Sequence, residues 1–248
     1  MTLQQSDLDY FDRGNVENPR FWARFGGKPN LQNALIADVG CGHGSLCIDM
    51  AMSGARRVIG FELNGRKIEF AKENLHRNYP DLEQIVEFRY QDMAVAPETD
   101  FDFIVTKDTF EHVLYLARLL EALKQKLAAG GKIFAGFSPL WNSPFGDHRR
   151  TRIGIPWGHV IFTEKFLIRR LARKYPEHES VKSIYELGLN KLSLADYRRI
   201  FQESGLSIDF FRVNNSDRFV SKVFSLLRKM PLLEEYFSFN IYAILGKP

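Results

Sequence analysis

The residues best suited to chemistry follow short apolar runs of the sequence. After the first run comes DVGCGHG at positions 38–44, where glycines permit a tight turn and let a ligand lie against the backbone. If a helix begins at the end of this turn, its unpaired N–H groups point toward the same ligand. The segment therefore predicts a loop that binds a cofactor.

Acidic side chains end the next two apolar runs. Glu62 lies 24 residues after Asp38, and a carboxylate there can accept hydrogen bonds from both hydroxyls of a ribose. The third run is followed by Asp92 and Met93. These side chains can accept a hydrogen bond from an exocyclic amine and cover an aromatic base, so the runs together indicate a ligand that contains a nucleoside.

Strands and helices alternate around these segments. Hydrophobic patterning predicts strands at 34–38, 58–62, 86–90, 101–106 and 133–137, with helices at 44–53, 65–78 and 116–128. Gly130-Gly131 is predicted to cap the third helix, and a helix at 193–204 precedes strands at 206–213 and 237–245. The alternation predicts an α/β fold with a doubly wound, mostly parallel sheet. In such sheets ligands bind at the carboxyl ends of the strands, where the motifs lie.

Composition restricts the class of protein. A chain of 248 residues with 45% hydrophobic content can form one large core, so we predict a single domain over 1–248. The irregular segment 138–192 is predicted to be an insertion that caps the substrate. No apolar stretch reaches the ~18–20 residues that span a bilayer, and Cys41 and Cys47 have no partners at zinc-ligand spacing. We expect a reduced, cytoplasmic protein with no transmembrane segment and no metal site.

Four segments resemble the motifs of class I S-adenosylmethionine-dependent methyltransferases. They are DVGCGHG at the first motif, VIGFELN at the second, YQDM at the third and KDTFEHV after the fourth strand. The resemblance covers about residues 30–137. It implies a Rossmann-like sheet of seven strands, mostly parallel with an antiparallel C-terminal strand, and an enzyme whose cofactor is S-adenosyl-L-methionine.

The resemblance also assigns roles at the first two motifs. Gly40, Gly42 and Gly44 would line the amino-acid end of the cofactor. Asp38 would orient the loop and lie near the ammonium group of the cofactor. Glu62 would hold the ribose, which agrees with the role expected from its spacing.

Further roles follow from the other matching segments. Asp92 and Met93 would hold the adenine. Lys107 and His112 fall where the fourth motif approaches the methionine portion of the cofactor and the substrate, although the family usually has a small or apolar residue at the position of Lys107. Aromatic residues within 1–30 resemble the helical lid that precedes the first strand in many relatives.

Two other functions compete with methyl transfer. An NAD-dependent oxidoreductase also has glycines after its first strand, but its usual spacing is G-x-G-x-x-G, and Ser45 stands where its third glycine would be. An RNA-directed or non-catalytic member of the same fold is the second alternative. RNA-base methyltransferases often carry a proline-aromatic motif after the fourth strand, and KDTFEH does not match it.

The segment after the fifth strand is the candidate acceptor site. It combines Trp141 and Trp157 with His148 and His159, and aromatic walls with imidazoles suit a small molecule. Similar segments occur in small-molecule methyltransferases. We predict His148, or His159 as second choice, as the general base for a hydroxyl of a saccharide or secondary-metabolite intermediate, titrating near 6.5 if unperturbed.

Charge gives a weaker indication about partners. Arg149 and Arg152 could clamp a carboxylate or phosphate of an anionic acceptor, or contact only solvent. The net charge of +4 and the pI near 9.0 are only mildly basic. Nucleic acid is therefore not the expected partner.

Overall fold

The computed structural model describes residues 3–215, 219–230 and 232–247 of the chain. Its strands are Leu35–Val39 (β1), Arg57–Glu62 (β2), Val86–Tyr90 (β3), Phe101–Lys107 (β4), Leu127–Phe137 (β5), Ser207–Val213 (β6) and Ile241–Gly246 (β7). Its helices are Gln5–Ala23 (α1), Ser45–Met52 (α2), Gly65–Asn78 (α3), Leu116–Lys126 (α4), Gly158–Ile161 (α5), Glu164–Lys174 (α6), Leu194–Glu203 (α7) and Phe219–Leu227 (α8). None of these helices is both long and apolar enough to cross a membrane.

The strands form one sheet in the order β3-β2-β1-β4-β5-β7-β6. Neighbouring strands from β3 to β5 pair in parallel, whereas β7 pairs antiparallel with both β5 and β6. The predicted seven-stranded, doubly wound sheet with an antiparallel C-terminal strand is confirmed. The strand order reverses between β1 and β4, which creates a crevice at their carboxyl ends.

Each face of the sheet supports its own hydrophobic core. Ile36 and Ala37 are adjacent on β1 and fully buried, yet they belong to different cores because successive strand residues point to opposite faces. The first core includes Phe11 and Trp22 of α1, and the second includes Phe201 of α7. Helices therefore cover both faces and hold the strand ends in place.

Predicted boundaries are wrong in two places, and at the first of them β5 begins at Leu127 rather than at 133. Gly130-Gly131 does not cap a helix: α4 ends at Lys126, and the glycines lie within β5, where the register against β4 shifts. The last strand begins at Ile241 rather than at 237. The side chain of Asn214 donates to the Phe237 carbonyl and accepts from the Phe239 N–H, so a side chain replaces strand pairing there.

The predicted lid and insertion fold against the carboxyl edge of the sheet. Residues 1 and 2 lie outside the described residues, and most of the remaining lid forms α1, which Trp22 attaches to α2 through an Nε1–H to Asp49 Oδ2 hydrogen bond of 2.8 Å. The insertion contains α5, α6 and short turns. Its C-terminal end is fastened by Asn190, whose Nδ2 donates to the Phe110 carbonyl at 2.7 Å.

Candidate active site

A cavity of about 850 Å³ opens at the carboxyl ends of β1, β2 and β4. The structure places eight predicted cofactor residues on its wall: Asp38, Gly40, Gly42, Glu62, Asp92, Met93, Lys107 and His112. Helix α1 closes one side through Tyr10, Arg13, Gly14 and Glu17. The segment 112–119 forms another part of the wall. The predicted residues thus converge on one enclosed space.

The glycine turn follows β1 in a conformation that suits glycine. Gly40 has φ +77°, and a Cβ there would overlap the Thr109 side chain. Gly44 has φ +85° at the start of α2, and a Cβ there would overlap the buried ring of Phe88. Gly44 therefore serves packing and lies behind the cavity wall. No atom lies within 4 Å of a Cβ built on Gly42, which leaves the backbone at that position open to a ligand.

Glu62 connects the end of β2 to the glycine turn. Its Oε1 accepts hydrogen bonds from the N–H groups of Leu63 and Asn64, at 2.9 and 3.0 Å. Its Oε2 accepts from the N–H of Gly42 at 3.1 Å. The carboxylate thus holds the loop in shape while facing the cavity, where a ribose hydroxyl could use the one acceptor position left on Oε2.

Asp38 is the buried acid of the first motif. Its side chain accepts a hydrogen bond from the Cys47 thiol at 3.2 Å. Burial raises the pKa of Asp38 to about 7, although the thiol hydrogen bond and the charge of Lys107 oppose that rise. A cationic ligand group beside Asp38 would favour its ionised form.

The other predicted cofactor residues differ in their burial and in their hydrogen bonds. Met93 is buried beneath the cavity, and Asp92 caps the turn after β3 by accepting from the N–H of Ala94 at 2.8 Å. Lys107 donates to the Asn18 side chain at 3.3 Å and so links β4 to α1. This contact gives Lys107 a structural role at a position where the family usually has a small or apolar residue.

His112 and His148 are brought together although they are far apart in sequence. Their ring centroids are 4.8 Å apart, and His112 lines the cavity while His148 lies behind it. Burial, assisted by the charges of His112 and Arg150, lowers the pKa of His148 to about 4. The pKa near 6.5 was expected only for an unperturbed imidazole, and that condition does not hold here, because desolvation disfavours the imidazolium.

His159 is separate from this pair. Its side chain is fully buried, and Nε2 donates to the Trp141 carbonyl at 2.6 Å. Burial lowers its pKa, and the backbone hydrogen bond to Trp141 opposes this. The position resembles that of a packing histidine and does not favour a role as general base.

The residues predicted to bind the acceptor lie outside the described cavity. None of Trp141, Arg149, Arg152 and Trp157 lines the described cavity. Arg149 and Arg152 are exposed and lie over aromatic rings, and Trp157 donates its indole N–H to the Tyr236 carbonyl at 3.1 Å. The basic side chains on the cavity wall are instead Arg13, Lys67, Lys107 and Arg118. No residue of the insertion 138–192 lines the described cavity, and Trp157 packs against Phe237 instead.

Sequence comparison identifies the family. The profile of a methyltransferase domain matches residues 12–209 of the chain. A ubiquinone biosynthesis O-methyltransferase from Nitrosococcus oceani is 37% identical over 120 residues, which are 46% of this chain and 47% of that protein. This chain belongs to the class I S-adenosylmethionine-dependent methyltransferases. The alternative of an NAD-dependent oxidoreductase is therefore wrong.

Other similar proteins extend this comparison. A ribosomal protein L11 methyltransferase from Pelobacter propionicus is 34% identical over 156 residues, 59% of this methyltransferase and 47% of that protein. The chain spans about half the length of the curated relatives it matches. Geranyl diphosphate C-methyltransferase from Streptomyces coelicolor A3(2) has a TM-score of 0.60 at 16% identity, over 96% of this chain and 82% of that chain. That likeness concerns the fold.

Sequence reasoning missed one buried residue beside the candidate site. Glu111 is 3% exposed, and neither carboxylate oxygen has a hydrogen-bond partner. Burial and the charge of Asp108 raise the pKa of Glu111 well above its usual range. Its place in KDTFEHV was visible, but an acid between Phe110 and His112 does not by itself reveal that it is buried.

Proposed function

We propose that this methyltransferase transfers the methyl group of S-adenosylmethionine to a hydroxyl oxygen of a small molecule. The observation that carries the proposal is one cavity with the glycine turn and Glu62 in one part of its wall and His112 in another. Its volume, about 850 Å³, is within the range of about 300–1,000 Å³ typical of small-molecule sites. The names of the ubiquinone O-methyltransferase relatives support an oxygen acceptor.

The chemistry needs alignment and the removal of one proton. The sulfonium makes the methyl group electrophilic, so the acceptor oxygen must lie in line with it. As the new O–CH₃ bond forms, the S–CH₃ bond breaks and leaves S-adenosylhomocysteine, while the hydroxyl proton is lost to solvent. We assign activation of the hydroxyl to the cluster of Glu111, His112 and His148, because His112 is its member on the cavity wall.

For the acceptor we retain the class proposed from the sequence. A saccharide or a secondary-metabolite intermediate would offer the hydroxyl, and α1 would act as the lid over it. Arg13, Lys67 and Arg118 could bind an anionic group of such a molecule. The insertion would then support His148 behind the cavity rather than cap the acceptor directly.

A product screen tests the proposed reaction. Incubation with pooled metabolites and S-adenosylmethionine carrying a deuterated methyl group should give a labelled small molecule together with S-adenosylhomocysteine, both detected by mass spectrometry. Protein heated to denaturation is the control. Label that enters only added ribosomal RNA or protein would contradict a small-molecule acceptor.

Replacing Glu62 with alanine should weaken cofactor binding. The ribose would lose a charged acceptor and Gly42 would lose a hydrogen bond, so we expect a loss of about 1–3 kcal/mol. The measurement is the dissociation constant for S-adenosylhomocysteine by calorimetry, with Glu69→Ala on the exposed surface of α3 as control. An unchanged constant in the Glu62 variant would remove this residue from the site.

Cofactor affinity should also depend on pH through Asp38. An ammonium group binds the ionised carboxylate, and burial places the pKa of Asp38 at about 7 in the free protein. Below that pH, binding must first release a proton, so affinity is higher at high pH and falls with acidification. We expect the dissociation constant to rise about tenfold from pH 8 to pH 6.

The test uses S-adenosylhomocysteine titrations at both pH values. Asp38→Asn should bind more weakly at pH 8 and show a much smaller pH dependence. Equal dependence in the wild type and this variant would assign the titration to another group.

A further inference from the structure

We propose that Glu111, His112 and His148 bind one divalent transition-metal ion beside the cofactor cavity, with an open coordination position for the acceptor oxygen. The inference rests on the proposed transfer to a hydroxyl. One ligand atom from each of the three side chains lies within 4.8 Å of the other two. The sequence did not reveal this group because His112 and His148 are 36 positions apart.

Glu111 is the strongest indication of a cation site in this cluster. It is 3% exposed and neither oxygen has a partner in hydrogen-bond geometry, although the backbone N–H groups of Glu111 and Ser138 lie close enough to stabilise its charge in part. A buried carboxyl is ordinarily paired, coordinated to a metal or kept neutral by a proton. Arg150 acts on it from some distance, without a hydrogen bond between the two side chains. A cation bound by Glu111 would satisfy the empty acceptor positions.

Each of the two imidazoles has one ring nitrogen whose lone pair could bind a metal ion. Nδ1 of His112 bonds the Gly188 carbonyl at 2.8 Å, and since a carbonyl only accepts, Nδ1 carries the proton and Nε2 is left with its lone pair. The Pro139 backbone, which has no N–H, acts on the His148 ring as an acceptor, and Nε2 of His148 is buried without a partner. Metal-binding histidines commonly have such a carbonyl behind them.

The ligand set indicates the class of metal. Two imidazoles and one carboxylate suit Zn²⁺, Fe²⁺ or Mn²⁺, whereas Mg²⁺ prefers oxygen ligands and water. Metal–ligand bonds of about 2.0–2.2 Å would require the three ligand atoms to move about 1 Å closer to one another.

The position of His112 gives the metal a role in the reaction. Because His112 lies on the cavity wall, the side of the ion away from Glu111 would face the acceptor. A bound ion withdraws electron density from a coordinated hydroxyl and lowers its pKa, so the proton is lost to solvent before the oxygen attacks the methyl group. The metal is neither oxidised nor reduced.

Direct metal binding tests this inference. Untagged full-length protein is stripped with chelator, freed of chelator and titrated with Zn²⁺ in a calorimeter. We expect one ion per chain, with affinity reduced about 10–100-fold or more in His148→Ala and Glu111→Gln. His159→Ala is the matched control, because it removes another buried histidine with an unpartnered Nδ1. S-adenosylhomocysteine binding verifies that each variant is folded.

The outcomes separate this inference from the proposed function. Zn²⁺ binding that is absent, or equally strong in the His148 and Glu111 variants, would overturn the metal site. Full methyl transfer by stripped protein in excess chelator would also overturn it and leave methyl transfer intact. Tight binding that depends on these side chains would support the metal site even if no methylated product were found, and that failure would count against the proposed function alone.

Discussion

Replacing His148 with alanine is expected to lower the rate of methyl transfer by about 10²–10⁴-fold, the range that activation of a reacting hydroxyl contributes. The affinity for S-adenosylhomocysteine should stay nearly unchanged, because His148 lies behind His112 and outside the cavity wall. The measurement is the turnover rate with the acceptor from the product screen. Loss of cofactor affinity together with rate would indicate a disturbed fold instead.

His159→Ala is the informative comparison for this result. His159 is a buried histidine of the same insertion, but its ring bonds the Trp141 carbonyl away from the cavity. This variant should lose stability and keep its turnover rate below its melting temperature. If it loses turnover while the His148 variant keeps it, the assignment is reversed. Full turnover in both variants would show that this segment does not activate the acceptor.

Replacing Gly40 with alanine should strongly destabilise the binding loop. A φ of +77° costs an L-residue about 1–2 kcal/mol, and overlap with the Thr109 side chain adds more, for a total of about 2–4 kcal/mol. At about 2–4 °C per kcal/mol for a chain of this size, the melting temperature should fall by about 5–15 °C. Differential scanning fluorimetry measures this without substrate.

Two further variants separate strain from overlap. Gly130 has φ +71° but no atom within 4 Å of a built Cβ, so Gly130→Ala should cost only the backbone strain. Removing the Thr109 side chain should make Gly40→Ala less harmful than in the presence of threonine. Equal losses for Gly40→Ala and Gly130→Ala would show that the contact with Thr109 is unimportant.

The sheet was predictable from the sequence because its signals are local. Each strand of the parallel part is a short apolar run, and the glycine turn and Glu62 follow strand ends directly. The two wrong boundaries depend on partners distant in sequence. Gly130 lies in β5 where the register against β4 shifts. The Asn214 side chain bonds the backbone of residues that were expected to pair in β7.

The acceptor side was less predictable for the same reason. The convergence of His148 on His112 depends on how residues 138–192 fold back, with Asn190 bonded to the Phe110 carbonyl and Gly188 to the His112 ring. Aromatic and basic residues in that segment suggested a pocket wall. Most of these residues pack on one another instead, and only the tertiary structure distinguishes the two arrangements.

Calorimetric titration with S-adenosylmethionine and with NAD⁺ tests the central claim most directly. The loop spacing, the position of Glu62 and the family predict that one molecule of S-adenosylmethionine binds per chain in the cavity and that NAD⁺ does not bind. The demethylated product should bind as well, because the contacts at the glycine turn and at Glu62 do not involve the methyl group. Heat of binding from NAD⁺ and none from S-adenosylmethionine would contradict the assignment of this cavity to the methyl donor.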